Sequence, residues 1–318
     1  SAASDVYKRQ IMNKMFISTL SLYCLSIYSL SGKEFNVDEY FPGLPTTISF
    51  DYVENTRTNF NGKANEPVKL NGSLSYNFVN GAYNLKTIQE IDAQKRKDIR
   101  EVFWDGKVVK HNNNLYISDK CVLAEGGFTN QILTYGQFPN PLEFIYTTNL
   151  PQKPLLYSEI LREALSQKIP MNLKKEGDTL TLEFEKRQNT IFTFKFDKKN
   201  KILSLIKTSV HDIDGNIEYS RVIKVSDYVT KSGYRLPTKI EVNIKSSGRV
   251  NVNNVIKIDI VPDSIKFNNP IIDTIAFVPG TIVRDTINNK TYKTTKTSTQ
   301  DTKEELIKNM LEENLDNK

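Results

Sequence analysis

Within residues 178–261 four segments show strict alternation of apolar and polar side chains, and this alternation constrains the fold more than any other feature of the chain. The segments 178–185, 190–197, 239–245 and 256–260 each carry an apolar side chain at every second position. Because successive side chains of a β-strand point to opposite faces, this period of two indicates strands with one face against a core and one against water. Antiparallel sheets commonly have one buried and one solvated face. We therefore expect a run of antiparallel strands whose apolar face is covered by the rest of the chain.

Turn signals join further strands earlier in the chain. Asn80-Gly81 separates two alternating segments, and Asp105-Gly106 separates two more. Both dipeptides favour a two-residue hairpin, because the central positions of that turn need positive φ angles. We also expect a loop over residues 55–69, a turn at 112–114 and a late strand over 271–277, followed by a small final hairpin. Strand, tight turn and strand in succession predict an antiparallel meander.

One amphipathic helix is predicted in the body of the chain, over residues 156–168 approximately. Its apolar residues lie on one stripe at helical spacing: Leu156, Ile160, Leu161, Ala164 and Leu165. Pro170 ends the helix, and the Pro- and Gly-rich residues 126–154 before it predict a connector. The expected fold class is mainly β (α+β), a curved antiparallel meander sheet or a half-open barrel with this helix packed on its concave face. The β domain would span residues 32–293, and a division into two subdomains would fall near 126–154.

The N-terminal residues 1–31 are predicted to lie outside this domain. Residues before Met12 are interpreted as a gene-assembly scar. A short basic start, an apolar run and small residues then predict a secretory signal peptide and export to a bacterial periplasm or medium. An uncleaved anchor helix is the alternative, but the run of about 15 residues is short of the roughly 20 that span a bilayer. A lipoprotein acylated at Cys24 is a second alternative, although the preceding Tyr23 is bulkier than such sites require.

The C-terminal residues 294–318 are predicted to form a flexible linker and a short helix. Thr302 and Glu305 make a capping box, and the helix presents apolar residues from Leu306 to Leu311. This helix is either loosely ordered or a docking piece for a protein partner.

Charge and cysteine content argue against nucleic-acid binding and against an internal disulfide. Removal of residues 1–31 would lower the 43 basic and 37 acidic residues to 40 and 36, a net charge of +4. Because these charges alternate along strands and do not cluster, we expect no nucleic-acid binding. Of the two cysteines only Cys121 would remain, so no internal disulfide is expected, and an inert thiol is the default interpretation.

The sequence offers no catalytic residue, metal ligand or cofactor motif. His111 and His211 lack a neighbouring Cys or His at ligand spacing, so both are expected on the surface. Asp212–Asn216 resembles a fragment of a calcium loop, but Asp214-Gly215 between two isoleucines favours a turn. The chain is therefore expected not to be an enzyme, and a glycan-active enzyme with two carboxylates in a cleft stays an alternative.

The supply of apolar strand surface is the feature with functional potential. One helix of 12 residues spans only about 18 Å and cannot cover a wide sheet. Either the sheet fills its own interior, or it leaves an apolar hollow suited to an acyl chain. The residues expected to line this hollow are Trp104, Leu180, Leu182, Phe184, Phe192, Phe194, Phe196, Ile240, Val242 and Ile244.

The layout resembles the lipoprotein-sorting carriers of the bacterial periplasm, namely the LolA/LolB-type half-barrels and their RseB-like relatives. The resemblance rests on the signal peptide, the meander of long strands, Phe103-Trp-Asp-Gly-Lys107 and Gly233-Tyr-Arg-Leu-Pro-Thr-Lys239, and it covers residues 45–262 approximately. It implies an incomplete barrel whose concave face, closed by a helix, holds acyl chains. The length, the residues after Pro262 and the many Asn and Thr depart from the family, and no functional residue of the family can be matched by position.

These observations lead to one functional expectation and its alternatives. The chain is expected to be an exported, non-enzymatic carrier of the cell envelope that binds an acyl chain or a lipidated protein, with peripheral membrane contact. The first alternative is a filled-core envelope scaffold that contacts a protein partner through Leu306–Leu311. The second is the glycan-active enzyme.

Overall fold

The computed structural model describes residues 35–41, 43–91, 94–129, 141–145, 156–187, 189–247 and 251–294. The predicted signal peptide, most of the predicted connector and the predicted C-terminal helix Leu306–Leu311 lie outside the described residues. No helix in the described ranges is long and apolar enough to cross a membrane.

The described chain is built mainly of antiparallel strands, which confirms the predicted mainly β class. Three short α-helices accompany them: α1 (Val37–Tyr40), α2 (Pro141–Ile145) and α3 (Tyr157–Ser166). The helix predicted over 156–168 is α3. The strands are β1 (Thr47–Phe60), β2 (Lys63–Ala64), β3 (Val68–Asn77), β4 (Tyr83–Ile91), β5 (Arg96–Trp104), β6 (Val109–Ile117), β7 (Lys120–Thr129), β8 (Met171–Glu176), β9 (Thr179–Arg187), β10 (Thr190–Asp197), β11 (Ile202–His211), β12 (Ile217–Lys231), β13 (Tyr234–Ser246), β14 (Val252–Ile260), β15 (Lys266–Phe267), β16 (Ile282–Asp285) and β17 (Lys290–Lys293).

The chain divides into two compact units. Unit 1 comprises Ser1–Pro42, Ser158–Lys224 and Ile244–Asn251, and unit 2 comprises Gly43–Tyr157, Val225–Asn243 and Val252–Lys318.

Unit 1 contains an antiparallel meander in which β8, β9, β10, β11 and β12 pair in chain order. Residues directly opposite each other on paired strands point to the same face of a sheet. Leu182, Phe194 and Ile206 face one another in this way on the three central strands, and all three are buried. The apolar phase predicted from the sequence is therefore the buried face of this sheet.

Unit 2 contains a longer meander. The strands β14, β1, β3, β4, β5, β6 and β7 pair antiparallel in that spatial order. The strand β16 then pairs with β7 in parallel and with β17 in the predicted final hairpin. Gly81 and Gly106 adopt φ angles of 73° and 99° in the turns after β3 and β5, which confirms both predicted hairpins.

The loop predicted over residues 55–69 is wrong for most of its length. The strand β1 continues to Phe60, because Asn55 to Phe60 pair with Lys257 to Val252 of β14. The chain turns only at Asn61 and Gly62, both with positive φ, and β3 begins at Val68. Long-range pairing to β14 thus overrides the local polar composition.

The turn predicted at Asn112–Asn114 is also wrong. All three asparagines lie inside β6, where Asn112 and Asn114 are buried. The Asn112 Nδ2 group donates to Glu101 Oε2 at 3.0 Å, and pairing of β6 with β5 and β7 holds all three asparagines in an extended strand. The predicted connector likewise begins too early, because β7 continues to Thr129 and α2 lies within the predicted range.

The strand predicted over Ile271–Phe277 is wrong, because the described chain has no strand there. Side chains of other strands bind this segment: Asn84 Nδ2 donates to Ile272 O at 2.8 Å, and Lys110 Nζ donates to Ile275 O at 2.8 Å. Ile275 and Phe277 are nevertheless buried and pack with Val283. The alternation of the segment reflects this packing and not a backbone ladder.

Candidate functional site

Six of the ten residues predicted to line a hollow lie together on one face of unit 1, which we call the aromatic face. Phe184 lies opposite Phe192, Leu182 opposite Phe194, and Leu180 opposite Phe196. The rings of Phe184, Phe194 and Phe196 form a stacked series with centroid distances of 6.2 and 6.3 Å. All six side chains are buried, so in this structure the aromatic face is covered by protein.

The helix α3 covers one end of the aromatic face. Lys186 follows Phe184 by two positions on β9 and therefore points to the same face. Its Nζ lies 2.5 Å from Oε2 of Glu163 on α3. The apolar stripe of α3, with Ile160, Leu161 and Ala164, is buried. An amphipathic helix thus buries its stripe over the predicted strands of unit 1.

The segment of residues 35–41 covers the other end of the aromatic face. Phe35, Tyr40 and Phe41 all contact the Phe196 ring, at centroid distances of 5.4, 4.7 and 5.8 Å. Arg162 of α3 joins the two covering pieces through an ion pair of 2.6 Å with Asp38. The aromatic face is therefore closed by two short segments that contact each other through an exposed ion pair.

The other four predicted residues lie elsewhere in the structure. Trp104 ends β5 in unit 2 and is half-buried, opposite Tyr83 and Val109. Ile240 and Val242 are buried in the unit 2 part of β13, and Ile244 is half-buried in the unit 1 part. Alternation along the strand predicted that Ile240, Val242 and Ile244 point to the same side of the sheet. The local sequence carries no information on which strands of the sheet meet.

A second face, which the sequence did not reveal, lies on the unit 2 sheet and is called the graded face here. It consists of the side chains of β14, β1, β3 and β4 that point to the same side of the sheet as Tyr52. Along β1 these side chains change from buried at Ile48 and Phe50, through half-buried Thr56, to Phe60, which is 44 % exposed. On β3 the same gradient runs from Leu74, which is buried, to Val68, which is 37 % exposed. The graded face therefore passes from closed interior to open apolar surface.

Two polar side chains lie at the boundary between these zones. Tyr52 is 2 % exposed and Glu54 is 4 % exposed, and in the described part of the chain neither the Tyr52 hydroxyl nor Glu54 Oε2 has a hydrogen-bond partner. Glu54 Oε1 accepts a hydrogen bond of 2.8 Å from Thr56 Oγ1. Burial raises the pKa of Glu54, and burial together with the Glu54 charge raises the pKa of Tyr52. Buried polar groups without partners are rare in proteins and mark places where a further group can bind.

The sequence contains a signal for this pair. Ile48, Phe50 and Tyr52 alternate in the apolar phase of β1, and Glu54 occupies the next position of that phase. A carboxyl group in a buried phase is costly unless it has partners, and for that reason it indicates a functional position. The loop predicted from residue 55 onward placed Glu54 at the edge of a loop and hid this signal.

The histidine and cysteine expectations have mixed outcomes. His111 is half-buried and not on the surface, because Gly127 on β7 leaves room for its ring, and burial lowers the pKa of His111.

The turn expected at Asp212–Asn216 is confirmed, since Asp212 Oδ1 accepts from the backbone of Asp214 and Asn216. Cys121 is half-buried and donates to Leu123 O at 3.3 Å. Within the described ranges no group of three His, Cys, Asp or Glu side chains could hold a metal.

Comparison with known proteins gives matches at the level of structure. No family model matches the chain, and no curated protein matches it. The solved structures that match include a LolA superfamily protein from Nitrosomonas europaea, 11 % identical, with a TM-score of 0.34, covering 74 % of this chain and 90 % of that one. A β-barrel-like protein of the domain of unknown function DUF1849 from Brucella abortus is 11 % identical, with a TM-score of 0.25. The match covers 69 % of this chain and 100 % of that one. MucB in complex with MucA(peri) is 8 % identical, with a TM-score of 0.16. The match covers 70 % of this chain and 94 % of that one.

These matches confirm the resemblance inferred from the sequence as a weak one, since a LolA superfamily protein and MucB are among them. Their TM-scores all lie below 0.5, so no residue role or ligand is transferred from them.

Proposed function

We propose that this protein is a non-enzymatic carrier of the bacterial cell envelope that binds an acyl chain or a lipidated protein. The observation that carries the proposal is the graded face of unit 2, where one strand face passes from buried core to exposed apolar side chains. Exposed apolar surface that is continuous with an interior is typical of ligand-binding grooves. The N-terminal pattern of residues 12–31 supports export to the periplasm or beyond.

The exposed end of the graded face supplies the first contacts for an acyl chain. Phe60 and Val68 lie on adjacent strands, with Leu70 half-buried beside them. Leu115 of β6 and Leu123 of β7 extend the same phase across the sheet, because Glu54, Leu70, Gln89, Asp98, Leu115 and Leu123 form one cross-strand row. Burial of apolar area stabilises a complex by roughly 25 cal/mol for each Å² removed from water. A flexible acyl chain could contact the apolar residues of this row, Leu70, Leu115 and Leu123, although the polar Gln89 and Asp98 lie between them.

The aromatic face of unit 1 belongs to the proposal as a second contact surface. Its six predicted residues would contact an acyl chain after α3 and residues 35–41 move aside. The ion pairs Arg162–Asp38 and Lys201–Glu39 that hold these segments are exposed. Exposed ion pairs contribute only about 0–1 kcal/mol each, so they would oppose such a movement weakly.

Native mass spectrometry of the protein purified from a bacterial envelope fraction tests the proposal. We expect co-purifying lipid on the wild-type chain and clear loss of it in the double variant Phe60→Ser/Val68→Ser. Val79→Ser is the matched control, because Val79 is 78 % exposed in the turn after β3, at the other end of that strand.

The proposal is contradicted if no lipid accompanies the wild-type chain and added monoacyl lipids also fail to bind. It is also contradicted if the double variant and the control retain lipid equally. Circular dichroism of all three chains checks that the fold is unchanged.

A filled-core envelope scaffold is the second candidate, and the complete burial of the aromatic face favours it. A scaffold needs no empty interior and would contact its partner through another surface. Absence of bound lipid together with a stable protein partner in a pull-down would support this candidate over the carrier.

A further inference from the structure

Tyr52 and Glu54 present two hydroxyl groups to the graded face when Glu54 is protonated. The two residues are separated by one position on β1, so both side chains point to the same face, about 7 Å apart at their Cβ atoms. Glu54 Oε1 is occupied by the Thr56 hydroxyl, and this leaves Oε2 as the position of the proton. The Tyr52 hydroxyl has no partner among the described residues. Both atoms therefore have unused hydrogen-bonding capacity, and both are buried.

The surrounding structure favours the neutral form of Glu54. Ile258 of β14 and Leu70 of β3 lie directly opposite Glu54 on its two sides. Burial among such residues raises the pKa of Glu54, because the charged form loses hydration there. A neutral acid donates one hydrogen bond and matches an uncharged acceptor on a ligand.

The strand β3 is adapted to the Tyr52 ring. A Cβ atom at Gly72 would lie 2.2 Å from Tyr52 Cζ and 2.6 Å from the Tyr52 hydroxyl. The phenol therefore lies directly over the Gly72 backbone, and only glycine allows this approach. The hydroxyl is thereby held over the backbone of β3, in the buried part of the graded face.

We propose that Tyr52 and Glu54 bind the carbonyl oxygen of an acyl ester, and that they distinguish esters from chains without a carbonyl group. The carbonyl oxygen has two lone pairs and accepts one hydrogen bond from each hydroxyl. The acyl part of the ligand lies along the exposed end of the graded face, toward Val68 and Phe60. This inference rests on the proposed carrier function and adds to it the class of ligand group that is recognised.

A matched pair of amphiphiles tests the inference. Monodecanoylglycerol has an ester carbonyl, and decylglycerol is its ether counterpart without one. Their affinities for the full chain are measured by isothermal titration calorimetry at mildly acidic pH, below the concentrations at which they form micelles. A gain of about 1.4 kcal/mol from the two neutral hydrogen bonds together corresponds to a roughly tenfold preference for the ester.

Three variants assign this preference to the two side chains. Tyr52→Phe and Glu54→Met each remove one donor and should reduce the preference to roughly threefold, while the ether binds as before. Glu54→Gln keeps a donor that does not titrate, so it should keep the preference and make it independent of pH. Asp51→Asn is the control, because Asp51 is exposed on the opposite face of β1 and should not affect the preference.

Equal affinity of ester and ether for the wild-type chain overturns the inference while the carrier function stands. A preference that survives in both Tyr52→Phe and Glu54→Met overturns it in the same way. If neither amphiphile binds, the carrier function and this inference both fall. Tyr52→Phe retains the ring over Gly72, so it remains informative if Glu54→Met does not fold.

Discussion

At the scale of single residues, polar groups in apolar positions distinguish this chain from an ordinary β core. Tyr52 and Glu54 lie on the buried side of β1, and the Tyr52 hydroxyl and Glu54 Oε2 lack hydrogen-bond partners among the described residues. Lys110 is also buried, but Asp273, Ile275 O and the Phe277 ring surround its ammonium group. The paired lysine positions a segment of the chain, whereas the unpaired hydroxyls are available to a ligand.

The close approach of Tyr52 to Gly72 gives a prediction at this scale. In Gly72→Ala the new methyl group would overlap the Tyr52 ring, whose Cζ lies 2.2 Å from the Cβ position. We expect the free energy of unfolding to fall by about 1–3 kcal/mol, the usual cost of overpacking. Urea unfolding followed by circular dichroism measures the loss.

Gly43→Ala is the control for this prediction, because a Cβ at Gly43 meets nothing within 4 Å. Equal stability of Gly72→Ala and Gly43→Ala would show that the Tyr52 ring can move away from β3 without cost. In that case the hydroxyl is not held in place by Gly72.

At the scale of structural elements, the aromatic face is stabilised by packing more than by charge. Phe194 is fully buried between the rings of Phe184 and Phe196. Arg162 and Asp38, which join the covering segments, are both largely exposed. Packing and the exposed ion pair should therefore contribute very different amounts to stability.

Substitution of the buried ring and of the exposed arginine tests this difference. Phe194→Ala should reduce the free energy of unfolding by about 3–5 kcal/mol, because it leaves a cavity in the aromatic face. Arg162→Ala should reduce it by less than about 1 kcal/mol. Chemical denaturation of the two variants beside the wild type checks both values. A large loss in Arg162→Ala would show that the ion pair, and not the apolar contact, holds the covering segments.

At the scale of the whole molecule, the last described residues form a closed hairpin. Thr294 closes the final hairpin, since its backbone N–H donates to Thr281 O and its hydroxyl accepts from Thr281 N–H. Val283 of β16 is buried and packs with Phe277. The last hairpin of the described chain is therefore held together by its own backbone and side-chain hydrogen bonds.

Because residues 294–318 are predicted from the sequence to form a flexible linker and a short helix, removal of residues 295–318 should leave the thermal unfolding temperature unchanged. If the predicted helix Leu306–Leu311 binds a protein partner, the same deletion should abolish the pull-down of that partner. A marked fall in the unfolding temperature would show that these residues contribute to the core. Lipid content measured on the same sample separates the carrier from the scaffold.

The sequence by itself determined the periodic features of this protein. Alternation in β9 and β10 predicted the buried phase, because successive side chains of a strand point to opposite faces. Asn80-Gly81 and Asp105-Gly106 predicted two hairpins from the φ angles that those turns require. The helical stripe from Leu156 to Leu165 predicted α3. Each of these signals is contained in a few neighbouring residues.

Only the tertiary structure decided how distant segments meet. Pairing of β1 with β14, about 200 residues away, extended β1 to Phe60 and placed Glu54 inside a strand. Side-chain hydrogen bonds from Asn84 and Lys110 held Ile272 and Ile275 without a backbone ladder. The segments that cover the aromatic face, and the position of Tyr52 over Gly72, likewise depend on long-range contacts. Such contacts are absent from local sequence patterns because their energy comes from residues far apart in the chain.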